Sequence, residues 1–241
     1  MLHSTRGIVF HTIRYSDTSA VVKIYTEEFG MMSFLVKGLY GRKSKLRAAM
    51  FGHLTLLDLV VERQERRQMH YIREVLPDHS VPDWSESMSK SAIVLYMNEL
   101  LHKCIREEES NRPLFAFLVS VLQKLTLPGI SLQAFHLLFM LKLTAYLGFA
   151  PRLAKTDAGS FFDMEEGLFL DSEPLHRYYI TGPAATALEN LQLIDFEGLN
   201  TFRISPDVRN ELLERLLEYY RLHIPELGEM KSVKVLQELL A

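Results

Sequence analysis

The chain has 241 residues, 48% of them apolar, and a formal net charge of −3. This length and apolar content suit a globular protein of one or two domains and argue against a disordered chain. A single cysteine, Cys104, excludes an internal disulfide and any cysteine-rich zinc site.

Neither the N-terminus nor the most apolar segment has the pattern of an export or membrane signal. The opening MLHSTRGIVF interrupts its apolar residues with polar ones. The segment from Ala134 to Ala150 contains His136 and Lys142, and it is shorter than the ~20 residues that a bilayer span needs. We therefore expect a cytoplasmic protein without membrane contact.

The first 80 residues have the pattern of five short β-strands. β-branched and aromatic residues dominate the five predicted strands, which are GIVFHTIRY (Gly7–Tyr15), AVVKIYT (Ala20–Thr26), MMSFLVKG (Met31–Gly38), HLTLLDLVVER (His53–Arg63) and MHYIREV (Met69–Val75). Five strands with one long connection between the third and the fourth are typical of a small closed barrel. We predict an OB-fold over residues 1–80, with an SH3-like barrel as the alternative.

From Pro82 onward the apolar period changes from two to about 3.6, which predicts an α-helical domain over residues 81–241 and an α+β protein overall. Asp83 and Glu86 resemble a capping box for a helix running through SAIVLYMNELLHKCIREE. Pro113 is expected to start a second helix, and Ser131 to cap a third, LQAFHLLFMLKLTAYLG, that ends at Gly148. This third helix is apolar almost all round and should lie at the centre of a bundle.

Residues 155–180 interrupt the helical pattern with two short apolar runs, GSFFD and GLFLD, separated by MEE. They predict a small hairpin inserted in the helical domain. Helical patterns return in GPAATALENLQL, DVRNELLERLLEYYRLHI and SVKVLQELL.

Charge is unevenly distributed along the chain. Residues 1–80 carry 12 Lys and Arg against 8 Asp and Glu, whereas the remainder carries 15 against 22. No acid occurs between Phe29 and Leu57, and that run holds five cations, Lys37, Arg42, Lys43, Lys45 and Arg47. Such a segment suits a chain of phosphates, and Tyr40 offers a face on which a base could stack. A merely solvated loop is the alternative interpretation.

The predicted hairpin of the fourth and fifth strands and the histidines give weaker signals. Four arginines could extend the basic surface, although Glu62 and Glu65 offset them: Arg63, Arg66, Arg67 and Arg73. The chain has no H-E-x-x-H, G-x-S-x-G or G-x-x-x-x-G-K-[ST] motif. We therefore predict no catalytic residue, no metal and no cofactor. An enzyme would need His102, Cys104 and His136 to converge on one cavity.

Both ends of the chain resemble one known family. GIVFHTIRYSDTSAVVKIYTEEFGMMSFLVKGLYGRKSKL resembles the opening of the bacterial recombination-mediator family RecO, and ELLERLLEYYRLHIPELGEMKSVKVLQEL resembles its closing helix. The resemblance implies an OB-fold on a helical body. It also implies a protein of the RecFOR pathway that binds single- and double-stranded DNA at the nucleoid and anneals complementary strands.

The resemblance implies protein partners as well. Members of the family work with RecR to load the RecA recombinase on DNA coated by the single-stranded-DNA-binding protein, whose acidic C-terminal tail docks on the helical body. An acidic peptide needs an apolar pocket beside a cation, which Lys124 or Lys142 could supply.

One departure from the family concerns zinc. Many members carry a four-cysteine zinc module where this chain has KTDAGSFFDMEEGLFLD, without cysteine and with only His176 nearby. We predict a zinc-free hairpin that packs through Phe161, Phe162, Leu168 and Phe169.

These patterns together favour a non-enzymatic protein of DNA repair and recombination that binds and anneals DNA. The expected DNA contacts are Lys37, Tyr40, Arg42, Lys43, Lys45 and Arg47. The alternative function is that of an OB-fold module for RNA, or of a protein scaffold without annealing activity.

Overall fold

The first unit of the structure is built on a closed barrel of five strands. The computed structural model describes residues 1–40, 45–63, 69–78, 87–152 and 161–240, and only the backbone of 45–47. Its residues cluster into two units, Met1–Glu86 with Met97–Thr126, and Ser87–Tyr96 with Leu127–Ala241.

The barrel closes in the order β1-β2-β3-β5-β4. Its strands are β1 (Leu2–Arg14), β2 (Ala20–Thr26), β3 (Gly30–Val36), β4 (Leu56–Glu62) and β5 (Met69–Pro77). All neighbours are antiparallel except β3 and β5, which pair in parallel. This architecture confirms the predicted five-stranded OB-fold and excludes the SH3-like alternative.

The strand β1 begins five residues before its predicted start because it pairs twice. Leu2 to Ile8 pair with β4, and Gly7 to Arg14 pair with β2. A register shift between Val9 and His11 separates the two ladders, as a β-bulge does where a barrel strand bends. Because β1 pairs with two strands, it is longer than the alternation of apolar and polar residues in its sequence predicts.

Alternating side chains of the strands fill the barrel, as expected for strands with one buried face. The buried core includes Val9, Val22, Ile24, Met32, Phe34, Leu57, Leu59 and Val61. A short helix, α1 (Lys45–Met50), follows the connection after β3, and Ala48, Met50 and Phe51 pack against this core. The long connection predicted between the third and the fourth strand therefore contains a helix that the sequence pattern did not indicate.

A segment between two helices crosses the turn that joins β2 to β3. The helix α2 (Met88–Cys104) ends before the predicted IREE, and α3 (Arg112–Thr126) begins with Asn111 accepting a hydrogen bond from the Leu114 amide. In between, the Met31 amide donates to the Glu107 carbonyl at 3.0 Å. The Ser110 hydroxyl donates to the Glu27 carbonyl at 2.8 Å. These contacts explain why α2 stops where its composition could continue. The predicted capping box at Asp83 and Glu86 lies outside the described residues.

The second unit surrounds α4 (Phe135–Leu147), whose first seven residues are all buried. The helices α5 (Gly182–Gln192) and α6 (Pro206–His223) contact it, and α7 (Ser232–Leu239) follows in the same unit. The Tyr220 hydroxyl donates to the Met140 carbonyl at 2.7 Å and joins α6 to α4. The central position of α4 and its end at Gly148, in the left-handed conformation, confirm the prediction.

The predicted cap of α4 was wrong. Ala134 occupies the N-cap position and makes no side-chain hydrogen bond, while the Ser131 amide donates to the Asn200 side chain at 2.9 Å. Ser131 lies three residues before the observed N-cap position, Ala134, and is therefore not the capping residue.

The hairpin insertion is present and has a third strand that the sequence pattern did not indicate. The sheet has the order β7-β6-β8, with β6 (Phe161–Asp163), β7 (Leu168–Leu170) and β8 (Tyr179–Thr181). Phe162 is fully buried and contacts Phe169 and Tyr219, whereas Phe161 and Leu168 are half-buried.

The turn between β6 and β7 is organised by one buried carboxylate. Asp163 accepts hydrogen bonds from the amides of Glu165 and Glu166, and its other oxygen lies 3.2 Å from His176. Hydrogen bonds to a carboxylate hold this turn, in a segment without cysteine.

No helix in the described ranges is long and apolar enough to cross a membrane.

The glycine at the β2–β3 turn yields a stability prediction. Gly30 has a φ of +66°, and an added Cβ would lie 2.3 Å from the Glu109 carbonyl oxygen. We expect Gly30→Ala to lower the free energy of unfolding by about 3 kcal/mol or more, measured by urea denaturation. Gly38→Ala is the control, because its φ is +70° and an added Cβ there meets nothing within 4 Å. Equal losses in the two variants would show that the Glu109 contact is unimportant.

A buried histidine on α4 yields a pH prediction. Burial, helped by Arg209, lowers the pKa of His136 to about 3. The unfolded chain then binds the proton more readily than the folded one. The contribution of His136 to the free energy of unfolding is therefore fully present above pH 6.5, its ordinary pKa, and is lost as the pH falls towards 3. Between pH 7.5 and 5, His136 should account for a loss of about 2 kcal/mol in the free energy of unfolding. His136→Leu should remove that part of the pH dependence, and an unchanged dependence would contradict the assignment.

Candidate nucleic-acid interface

The basic segment, which we define as residues 37–47, is predicted to bind DNA and is only partly described. Lys37 is exposed in the turn that follows β3, and Tyr40 is 38% exposed three residues later. Arg42 and Lys43 lie outside the described residues, as do the side chains of Lys45 and Arg47 on α1. The structure thus shows where this segment begins and where it ends.

Lys37, at the start of the basic segment, and two residues just beyond its end border one groove of about 750 Å³. Lys37 lines it after β3, and Met50 and Phe51 line it at the end of α1. Its remaining walls come from Leu35 and Val36 on β3 and from residues 71–76 of β5, including Tyr71. In the sequence, the four further cations lie between Lys37 and Met50.

The turn between β1 and β2 contacts the same segment. The Tyr40 amide donates to the Thr18 carbonyl at 3.3 Å, and the Arg14 guanidinium carbon lies 5.2 Å from the centre of the Tyr40 ring. Since β1 and β3 run in the same direction, their C-terminal ends meet at one end of the barrel. Tyr15, directly after β1, is 64% exposed there.

Sequence reasoning missed Arg14 and Tyr15. They look like the ordinary end of a strand, and only the strand order brings Arg14 over the Tyr40 ring and Tyr15 to the same end of the barrel. The dipeptide Arg-Tyr before a polar turn is the signal that could have found them once an OB-fold was predicted.

The hairpin of β4 and β5 adds little free positive charge to the groove. Arg73 lines it but forms an ion pair with Glu62. The Arg63 guanidinium lies over the Phe29 ring at 5.0 Å, and Arg66 and Arg67 lie outside the described residues. An ion-paired arginine is a poor phosphate ligand unless its partner is displaced.

A smaller groove of about 340 Å³ on the same unit has the opposite character. Glu27, Glu28, Asp58 and Glu74 line it, and Arg6, the one cation among its described lining residues, is paired with Asp78 at 2.8 Å. Of these acids only Glu74 also lines the first groove, together with Lys37 and Arg73. Carboxylates repel phosphate, so the distribution of charge favours DNA at the first groove.

The lysines predicted to contact a peptide lie on different units. Lys124, on α3, and Lys142, on α4, are both half-buried, and Lys142 donates to the Gln192 carbonyl at 3.5 Å. Neither lines the groove of about 880 Å³ between α6 and α7, which mixes acidic and basic residues over Leu217 and Met230. The structure therefore offers a groove on the helical unit that sequence reasoning did not identify.

Comparison with known proteins identifies relatives over nearly the whole chain. A family model described as Recombination protein O N terminal matches residues 1–80, and one described as Recombination protein O C terminal matches residues 85–232. Proteins named DNA repair protein RecO are similar at 37% identity in Bacteroides fragilis, 35% in Christiangramia forsetii and 34% in Phocaeicola vulgatus. In all three cases 99% of each chain is covered.

The residues considered for catalysis have the chemistry of packed side chains. Burial raises the pKa of the Cys104 thiol to about 12. Burial also lowers the pKa of His102 to about 4, with His11 stacked on its ring at 4.8 Å. A thiol that stays protonated at neutral pH is a poor nucleophile.

The thiol provides a direct test. We expect native Cys104 to react with iodoacetamide at pH 8 about a thousandfold more slowly than Cys104 in the denatured chain, because its thiolate fraction is smaller by that factor. Mass spectrometry of the alkylated protein over time measures both rates. Similar rates in the two states would indicate an activated cysteine.

Proposed function

Because the chain belongs to the RecO family of DNA repair proteins, we propose that it binds DNA at the groove beside its basic segment and anneals complementary strands. The family itself assigns the chain to DNA repair and recombination. The finer activity is supported by one observation above all. Within the acid-free run from Phe29 to Leu57, Lys37 on one side and Met50 and Phe51 on the other line one groove on an OB-fold, and the other four cations of the run lie between them in the sequence.

The proposed interaction is electrostatic at its base. Lys37, Arg42, Lys43, Lys45 and Arg47 release counterions when they neutralise phosphates. Five contacts to a single strand correspond to a slope of about −3.5 for the logarithm of affinity against the logarithm of salt concentration. These contacts do not depend on the DNA sequence, because the phosphates are the same in every strand.

Annealing by this surface needs neither a nucleotide nor a catalytic residue. Two complementary strands repel each other, and a cationic surface that neutralises part of each charge lowers this repulsion. The same surface raises the local concentration of both strands. We accordingly assign the protein a non-enzymatic role, and the domain over residues 1–80 the DNA contact.

The partner proteins belong to the same proposal. We assign the helical domain over residues 81–241 to contacts with RecR and with the acidic tail of the single-stranded-DNA-binding protein, through which a recombinase is loaded on coated DNA in the cytoplasm. An acidic tail suits a half-buried cation beside apolar residues, which describes Lys124 and Lys142.

The test of DNA binding is a fluorescence-anisotropy titration of a labelled single strand over a series of salt concentrations. The triple variant Arg42→Ala, Lys43→Ala and Lys45→Ala should bind at least about tenfold more weakly at low salt, and its salt slope should be smaller by about 2. The matched control is Arg221→Ala, Lys231→Ala and Lys234→Ala, which removes the same charge from exposed positions of the helical unit. Equal binding by the wild type and both variants would contradict the proposal.

Competition with RNA separates this function from its alternative. We expect the wild type to accelerate annealing of complementary DNA strands, measured by loss of fluorescence when a dye and a quencher meet. The basic-segment variant should anneal more slowly, and the control variant should not. Preferential binding of a matched RNA strand without acceleration of annealing would favour an RNA-binding OB-fold instead.

A further inference from the structure

The helices α4 and α6 of the second unit have their starts at the same end. The Phe149 ring, directly after α4, packs against Tyr220 and His223 at the end of α6, with ring centres 5.1 and 4.8 Å apart. The hydrogen bond from Tyr220 to the middle of α4 keeps the two helices side by side. His136 lies 13 residues before Phe149, and Arg209 lies 14 residues before His223, which is about 20 Å of helix in each case. The helices therefore run in the same direction, with His136 and Arg209 near their starts.

The start of α4 is buried and has no polar cap. Ala134, at the N-cap position, makes no side-chain hydrogen bond, and the first turn contains no acidic residue. Ala134, Phe135, His136 and Leu137 are each at most 1% exposed. The first amides of a helix have no acceptor within the helix, and a buried helix start normally receives one from outside. A negative group is favoured at such a position by the amides and by the helix dipole.

Arg209 brings a buried positive charge to the start of α6. It is 3% exposed, and its Nη2 atom has no hydrogen-bond partner in the part of the chain that the structure describes. Burial lowers the pKa of Arg209, and no described carboxylate counteracts this effect. A guanidinium nevertheless stays protonated in a protein, and a buried charge is normally paired with an opposite one. Arg209 thus has the positive charge of an ion pair without its acidic partner.

His136 lies close to this guanidinium. The charge of Arg209 contributes to the low pKa of His136, which requires the two side chains to be near each other. The Nδ1 atom of His136 is also buried without a partner among the described residues. A neutral imidazole donates a hydrogen bond through one of its nitrogens. Two buried side chains with unpaired nitrogen atoms, one from each helix start, therefore meet in the core of the second unit.

We propose that the second unit binds one monovalent anion of the size of chloride between the starts of α4 and α6, with Arg209 and His136 as its ligands. We call this position the anion site. Because the two helices are parallel, both direct the positive ends of their dipoles towards it. A single negative charge neutralises Arg209, whereas a buried water molecule would satisfy Nη2 and leave the charge uncompensated.

Burial restricts the anion site to a free ion. A DNA phosphate or a peptide carboxylate is attached to a chain, and that chain would need an open groove leading to the site. Neither Arg209 nor His136 lines the groove between α6 and α7 or the two grooves of the first unit. The anion site is therefore separate from the proposed DNA contact, and its ion stabilises the folded helical unit.

The test measures urea unfolding at pH 8 and constant ionic strength while chloride replaces gluconate, which is too large for the site. His136 is neutral at this pH, so its protonation does not contribute to the change. A ligand that binds only the folded state raises the folding equilibrium constant in proportion to its concentration, once this exceeds the dissociation constant. In the wild type we therefore expect about a tenfold gain in that constant for each tenfold rise in chloride.

Two variants on the same helix make the comparison specific. Arg209→Met should abolish the gain, because it removes the charge and keeps an unbranched side chain. Arg221→Met should keep the gain, because Arg221 is exposed. The same chloride dependence in Arg209→Met as in the wild type, or equal stability of the wild type in chloride and gluconate, would overturn the proposal. The pH dependence predicted for His136 applies to buffer without chloride, since a bound anion favours its protonated form.

Diffraction from wild-type crystals grown in sodium bromide locates the ion without any substitution, because bromide scatters anomalously. We expect an anomalous peak within hydrogen-bonding distance of Nη2 of Arg209. A water molecule at this position, or bromide peaks at the protein surface alone, would contradict the anion site.

Discussion

The double pairing of β1 is the constraint on which the first unit depends. Thirteen residues of one strand form ladders with β2 and with β4, and this closes the barrel. Closure removes the free strand edges that would otherwise invite pairing with other chains. It also places the end of β1 beside the end of β3, so that two turns far apart in sequence come together around Arg14 and Tyr40.

The described interface is therefore a product of topology more than of local sequence. The strands themselves were predictable because alternation of apolar residues is a local property, and β2 has the predicted bounds, Ala20–Thr26. The first residues of β1 were not, since Leu2 to Arg6 owe their extended conformation to β4, more than 50 residues away. The same holds for the segment around Glu107, where the sequence pattern predicted a continued helix and where the Glu107 carbonyl instead accepts a hydrogen bond from the Met31 amide.

The second unit shows how a helical core accommodates groups that prefer water. His136 is buried on α4 with its Nδ1 atom unpaired among the described residues, and Arg209 is 3% exposed with Nη2 in the same condition. Burial disfavours the charged form of both side chains. The buried carboxylate of Asp163 differs from these two groups because both of its oxygens have partners, two backbone amides and the His176 ring. Composition predicted where these residues lie, but only the fold determines which of them find partners.

A protein that anneals DNA must hold strands and then let them pair, and the proposed site suits both requirements. Contacts with phosphates leave the Watson–Crick edges of the bases free, so the basic segment alone does not obstruct pairing. Each phosphate contact can exchange for a counterion from solution, so a bound strand can move while it searches for its complement. Base pairs formed beside the groove gain stacking with each other over many steps, and none of the phosphate contacts has to break for them to form. In the proposed mode the basic segment captures two strands, and the growing duplex needs no further source of energy.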